Sequence, residues 1–139
     1  MQMRFDVGTI KGNIYKKLIQ DLCQVSDSIY FTSDREYMFD AEGIHGVEDK
    51  CERADATPDV IKWCNGDVVG YKIDAHMMQY LYNYNELNLL LGDRMSIDNK
   101  TLFFYNGAEC VAHIYNQMYQ VTCIETDEES IIRDFSALQ

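Results

Sequence analysis

Hydrophobic positions along the chain change period several times, and each change marks an element. Met3 to Val7 alternates apolar and polar residues as a strand does, and Gly8-Thr9 ends it, with the Thr9 hydroxyl placed to cap the next element. From Ile10 to Cys23 the period becomes helical. Ile14, Leu18 and Leu22, with Tyr15 and Ile19, share one face, and Asn13, Lys16, Lys17, Gln20 and Gln24 take the opposite arc. Ser28 to Ser33, the Asp34-Arg35 turn and Glu36 to Phe39 read as a hairpin, with a weaker strand near Ile44 to Val47. Glu48 to Ala56 is charged and aperiodic, the pattern of a surface loop. Thr57-Pro58-Asp59 then has the form of a helix start, and the short helix would carry Val60, Ile61, Trp63 and Cys64 to a stop at Asn65-Gly66.

The same order then recurs. Val68 to Ile73 is a strand, Asp74 can cap a helix beginning at Ala75, and Met77, Met78 and Leu81 give that helix an apolar face. Leu87 to Leu91 either extends the helix or forms a strand, and Gly92-Asp93 ends it in both cases. Met95 to Asp98, Thr101 to Tyr105 and Cys110 to Tyr115 form a meander whose second turn, Asn106-Gly107, is a strong hairpin signal. Met118 to Ile124 is a further strand. Thr126-Asp127-Glu128-Glu129 has the form of a capping box before a C-terminal helix carrying Ile131, Ile132, Phe135 and Leu138.

The expected fold is therefore α+β. It is one domain over 1–139, with a first half-repeat at about 3–48, an insert at 49–66, a second half-repeat at 67–117, and a C-terminal strand and helix at 118–139. In this alignment Asp34-Arg35 matches Asn99-Lys100, and Tyr37-Met38-Phe39 matches Leu102-Phe103-Phe104.

A duplicated strand-helix-three-strand unit of this length resembles one domain of the DNA sliding clamps, the processivity factors of replicative polymerases. MRFDVGTIKGNIYKKLIQDL is similar to a clamp's first strand and helix, and VVGYKIDAHMMQYL to the strand entering its second helix. The resemblance implies two packed helices against two antiparallel sheets, partner docking in DNA replication or transcription, and contact with DNA phosphates from the helices. Lys16 and Lys17 would be the nucleic-acid-binding residues here. The second helix, Ala75 to Glu86, carries no basic residue, so direct DNA contact would be weak or absent.

Charge sharpens this picture. A formal net charge of -11 disfavours nonspecific phosphate binding and favours a basic partner. The alternative reading is an acidic phage-encoded or immunity-type inhibitor, whose carboxylates at Glu48 to Asp59 and Asp127 to Asp134 would stand in for phosphates. Both readings are of a binding protein, without cofactor or metal and not an enzyme. The partner-binding candidates are Trp63, the helical tyrosines Tyr80, Tyr82 and Tyr84, and the acids Asp127, Glu128 and Glu129.

Five cysteines without CxxC spacing point to free thiols in a reducing compartment, and His45, His76 and His113 lack zinc spacing. The Cys-x-x-His separation of Cys110 and His113 in a strand would set them on opposite faces, which argues against a nucleophile-base pair. With no signal peptide and no apolar run of membrane length, the expected setting is cytoplasmic, with a homo-oligomer open.

Overall fold

The computed structural model describes residues 2–33, 51–54, 58, 68–92, 100–116 and 121–138. The elements expected at Glu36 to Phe39, Ile44 to Val47, Thr57 to Asn65 (apart from Pro58), Met95 to Asp98 and the start of the Met118 strand lie outside them. Among the described residues there are six strands: β1 (Met3–Asp6), β2 (Ser28–Thr32), β3 (Val68–Lys72), β4 (Thr101–Asn106), β5 (Glu109–Asn116) and β6 (Thr122–Thr126). The helices are α1 (Asn13–Gln24), α2 (Ala75–Tyr82), α3 (Leu87–Leu91) and α4 (Glu129–Phe135), the last running into a 3-10 turn at Ser136–Leu138. No helix among these residues is long and apolar enough to cross a membrane.

All six strands join in one antiparallel sheet of order β1-β6-β5-β4-β2-β3. The fold class is α+β, with one sheet where two were expected. The order also departs from the repeat. Its equivalent entry strands, β1 and β3, lie at opposite edges, one beside β6 and the other beside β2, and β4, equivalent to the stretch around Tyr37-Met38-Phe39, pairs with β2. Local αβ pattern sets each element, but sheet order depends on long-range pairing that the pattern does not encode.

One core lies between the helices and a single sheet face. Tyr15, Leu18, Ile19 and Leu22 of α1, Met77 and Leu81 of α2, and Ile131 and Phe135 of α4 meet Ile29, Phe31, Leu102, Phe104, Ile114 and Ile124. The Tyr15 hydroxyl donates to the Leu81 carbonyl at 2.7 Å, so α1 and α2 are joined by a buried hydrogen bond as well as by packing. Ile14, placed by periodicity on the inner face, is 47% exposed instead. It sits at the helix edge in the first turn, where the buried stripe has narrowed to Tyr15.

Helix ends follow local chemistry, with shifts. Asp74 caps α2 as expected, its carboxylate accepting from the Met77 N–H at 2.9 Å. Thr9 does not cap α1. The helix starts later, at Gly12, whose φ of 64° suits glycine and whose N–H donates to Asn85 O at 2.9 Å, which ties this start to the α2–α3 link. The LNLLL segment is helical and stops at Gly92, φ 84°. At the C-terminal end Glu128 holds the N-cap position without a side-chain cap hydrogen bond, so the capping box expected on Thr126 is not formed among the described residues. The charged stretch read as a loop is also not free of the sheet. The Lys72 N–H donates to Glu52 O and the Ala54 N–H to Gly70 O, both at 2.9 Å, and Cys51 is buried. Gly70 is required there, because a Cβ would run into the Tyr30 ring on β2.

Candidate functional site

The hairpin of β4 and β5 turns through Gly107, whose N–H donates to the Asp27 carboxylate at 3.0 Å, and it delivers Asn106, Glu109 and Cys110 to one end of the sheet. The β6–α4 corner reaches the same end. Thr126, buried, donates its hydroxyl to Val111 O at 2.7 Å and accepts the Glu128 N–H at 3.0 Å, which pins the corner over β5. The side chain that was expected to cap the helix is used to dock its approach. As a result Asp127 and Glu128 face Glu109 across a polar cleft of about 390 Å³, completed by Val25, Asn106, Cys110 and Val111.

None of these three carboxylates has an ion-pair partner among the described residues. The Glu128 carboxylate accepts only the neighbouring Ser130 hydroxyl, at 3.3 Å. The negative field is felt at the Cys110 thiol, which is held above its ordinary range. Desolvation is the main cause, and Asp127 and Glu125 add to it against hydrogen bonds with Ala112 and Tyr105 that pull it down. A thiol so placed stays protonated at neutral pH and is a poor nucleophile. Chemically, the cleft is suited to receive a cation or a basic side chain.

A β-bulge changes one expectation. Phe104 pairs with Ala112 but Tyr105 pairs with Cys110, so Val111 is the extra residue. Parity is reset across it, and Cys110 and His113 share the outer face rather than opposite faces. They still do not act as a pair: His113 stacks on Phe103, with centroids 4.1 Å apart and planes 8° apart, and lies 4.6 Å from the Tyr115 ring. Burial in this stack lowers the imidazole pKa to about 4, against an opposing pull from Glu125. Among the described residues no group of three histidine, cysteine or acidic side chains is disposed to hold a metal.

The remaining sequence candidates divide. Lys16, Lys17 and Tyr82 come together with Asn13 and Gln20 around a shallow cleft of about 340 Å³ on the exposed side of α1. Lys17 is already paired with Asp21 at 3.0 Å, and Lys11 nearby with Glu86 at 3.4 Å, so among the described residues Lys16 is the cation of that cleft without an ion pair. Tyr80 is buried, packing edge-on against Phe31 and Tyr84, and belongs to the core rather than to a partner surface. Tyr84 is half-buried against it. Glu129 is exposed in the first turn of α4 but does not line the acidic cleft, and Trp63 lies outside the described residues.

Glu109 and Asn106 were not singled out from the sequence, although the Asn-Gly turn placed them at a hairpin tip. Their meeting with Asp127 depends on β5–β6 pairing, which has no local signature. Comparison with protein-family models, with curated proteins and with solved structures gave no match.

Proposed function

We propose that this chain is a non-enzymatic binding protein that docks a basic surface of a partner through the cleft of Glu109, Asp127 and Glu128. The observation that carries the reading is that three carboxylates without an ion-pair partner among the described residues converge on a chain of net charge -11. Like charges held together without a counter-charge repel, and a cationic partner relieves that repulsion and is steered toward it. The acidic inhibitor anticipated from composition is this reading in its sharper form, with carboxylates standing where phosphates would.

An arginine-rich peptide serves as the probe, titrated calorimetrically at low and at physiological salt. Replacing the cleft acids (E109Q, D127N, E128Q together) should weaken binding at least about fivefold more than the same loss of charge elsewhere (D21N, E52Q, D134N together). Equal losses in the two triple variants would leave only a net-charge effect and refute the site.

A second reading, a clamp-like docking protein of DNA replication or transcription, draws support from the side-by-side packing of α1 and α2. It requires phosphate contacts from Lys16 and Lys17, so K16E/K17E should abolish stimulation of a polymerase. Pairing of Lys17 with Asp21 leaves little charge for that role, and the single sheet lends the two-sheet ring plan no support. The basic-partner reading is therefore preferred.

A further inference from the structure

The two edges of the sheet differ. At β3 the outer backbone is met by residues 52–54, whereas beyond β1 there is no further strand among the described residues. The hydrogen-bond parity of β1 shows which groups face outward. The Val7 N–H donates to Thr122 O at 2.9 Å, so the backbones of Met3, Phe5 and Val7 turn toward β6. Those of Arg4 and Asp6 turn away from it, toward the outer edge of the sheet. Their side chains lie on the sheet's outer face, because Phe5 between them is buried under the helices. Arg4 is exposed, its side chain hydrogen-bonded to Tyr115 and opposite Glu125 of β6 on the outer face, and of the large hydrophobics that remain exposed, Met3 is on β1 itself and Val121 adjoins the residue paired with Val7.

We propose that β1 is a self-association edge, at which a second copy of this chain pairs antiparallel about a twofold axis beside Phe5, joining two six-stranded sheets into one. With Phe5 opposite Phe5, Arg4 of each copy lies across from Asp6 of the other. All the outward N–H and C=O groups of these residues are then satisfied, and both ion pairs have opposite sign. The competing hydrogen-bonded registers set Arg4 against Arg4 or Asp6 against Asp6, and like charges directly opposite are destabilising. Short charged strands normally protect a sheet edge by repulsion. Here the two charges differ in sign, and their spacing makes the strand complementary to itself. One Asp6 oxygen accepts the Gly8 N–H at 2.8 Å, and the other remains for the arginine of the second copy. This inference does not rest on the acidic cleft, which is built from β5, β6 and α4.

Light scattering on the wild type should give twice the 16.2 kDa chain mass, falling on dilution. R4D and D6K each place like charges across the axis twice and should weaken dimerisation by about tenfold or more. Mixed together, the two variants restore both opposite-sign pairs and should form a heterodimer. A wild type that is monomeric up to millimolar concentration overturns the proposal, as do single variants that dimerise undiminished. Hydrogen exchange on the unmodified chain guards against a folding defect in D6K, which loses the Gly8 contact, and in R4D, which loses the Tyr115 contact and sets a carboxylate opposite Glu125. The Arg4 and Asp6 amides should gain protection on concentration, and exchange rates independent of concentration overturn the proposal.

Discussion

His113 makes stability depend on pH between neutrality and about pH 4. Its ring is held between Phe103 and Tyr115, and burial lowers its pKa to about 4 from the ordinary 6.5. The group across from it on β6 is Glu125, which favours the charged form, but that carboxylate is engaged by the Tyr115 hydroxyl at 2.7 Å and lies opposite Arg4. Desolvation therefore outweighs it. The folded state binds the proton less tightly than the unfolded chain, so the contribution of neutral His113 is complete above about pH 6.5 and is lost as pH falls toward 4. From pH 7.5 to 5 linkage gives about 2 kcal/mol, and residual solvent contact reduces this to roughly 1–2 kcal/mol. With a urea slope of about 1–3 kcal/mol per molar, the unfolding midpoint should fall by about 0.3–2 M. The assay is urea unfolding by circular dichroism at several pH values for wild type and H113Q. The variant loses stacking and is less stable throughout, but its dependence on pH over this window should be flatter. Parallel curves for the two proteins, or an imidazole resonance of His113 titrating above pH 6.5, would refute the reasoning.

Other substitutions test the packing. Tyr15→Phe removes the hydroxyl that satisfies Leu81 O while keeping the ring, and should cost about 1–2 kcal/mol in urea unfolding. Asp74→Ala removes the α2 cap and should cost about 1 kcal/mol, with faster amide exchange at Met77. Ile14→Ser and Leu18→Ala separate periodicity from burial. The first should change stability by less than about 0.5 kcal/mol and the second should lower it by about 2–5 kcal/mol, since Leu18 is fully buried and Ile14 is not.

Element type was legible in the sequence wherever its cause is local. Asp74 caps α2 because a carboxylate before an apolar-periodic run accepts a free N–H, and Asn106-Gly107 turns a hairpin because glycine tolerates the positive φ of 61° found there. The buried cysteines Cys23, Cys51 and Cys123 are free, and so is the exposed Cys110, in keeping with their unpaired spacing. Register and order were not legible. The repeat read from the pattern of the two αβ segments is not confirmed by the sheet, where β1 joins β6 and β3 joins β2, choices made by contacts between residues far apart in the chain. The Val111 bulge shows the same limit at the scale of one residue, since alternation along β5 fails at the position where the face of Cys110 was inferred.

The candidate site was half legible for a related reason. Asp127 and Glu128 could be named because acids gather at helix starts, and that explanation needs no ligand. What turns them into a site is Glu109, brought opposite by strand pairing and by the double hydrogen bond of Thr126. Thr126 is the residue where local and long-range demands compete: its hydroxyl either caps α4 or anchors the corner to Val111. Anchoring wins because Val111 is buried at the bulge, and its carbonyl, left without a partner, would cost about 1–3 kcal/mol, more than the roughly 1 kcal/mol a cap supplies. The acidic cleft is thus a consequence of satisfying the core beneath it. Thr126→Val should loosen the corner and separate Asp127 from Glu109 while leaving the net charge unchanged. The arginine-rich peptide would then bind more weakly although every carboxylate is still present, a result that net charge alone does not give.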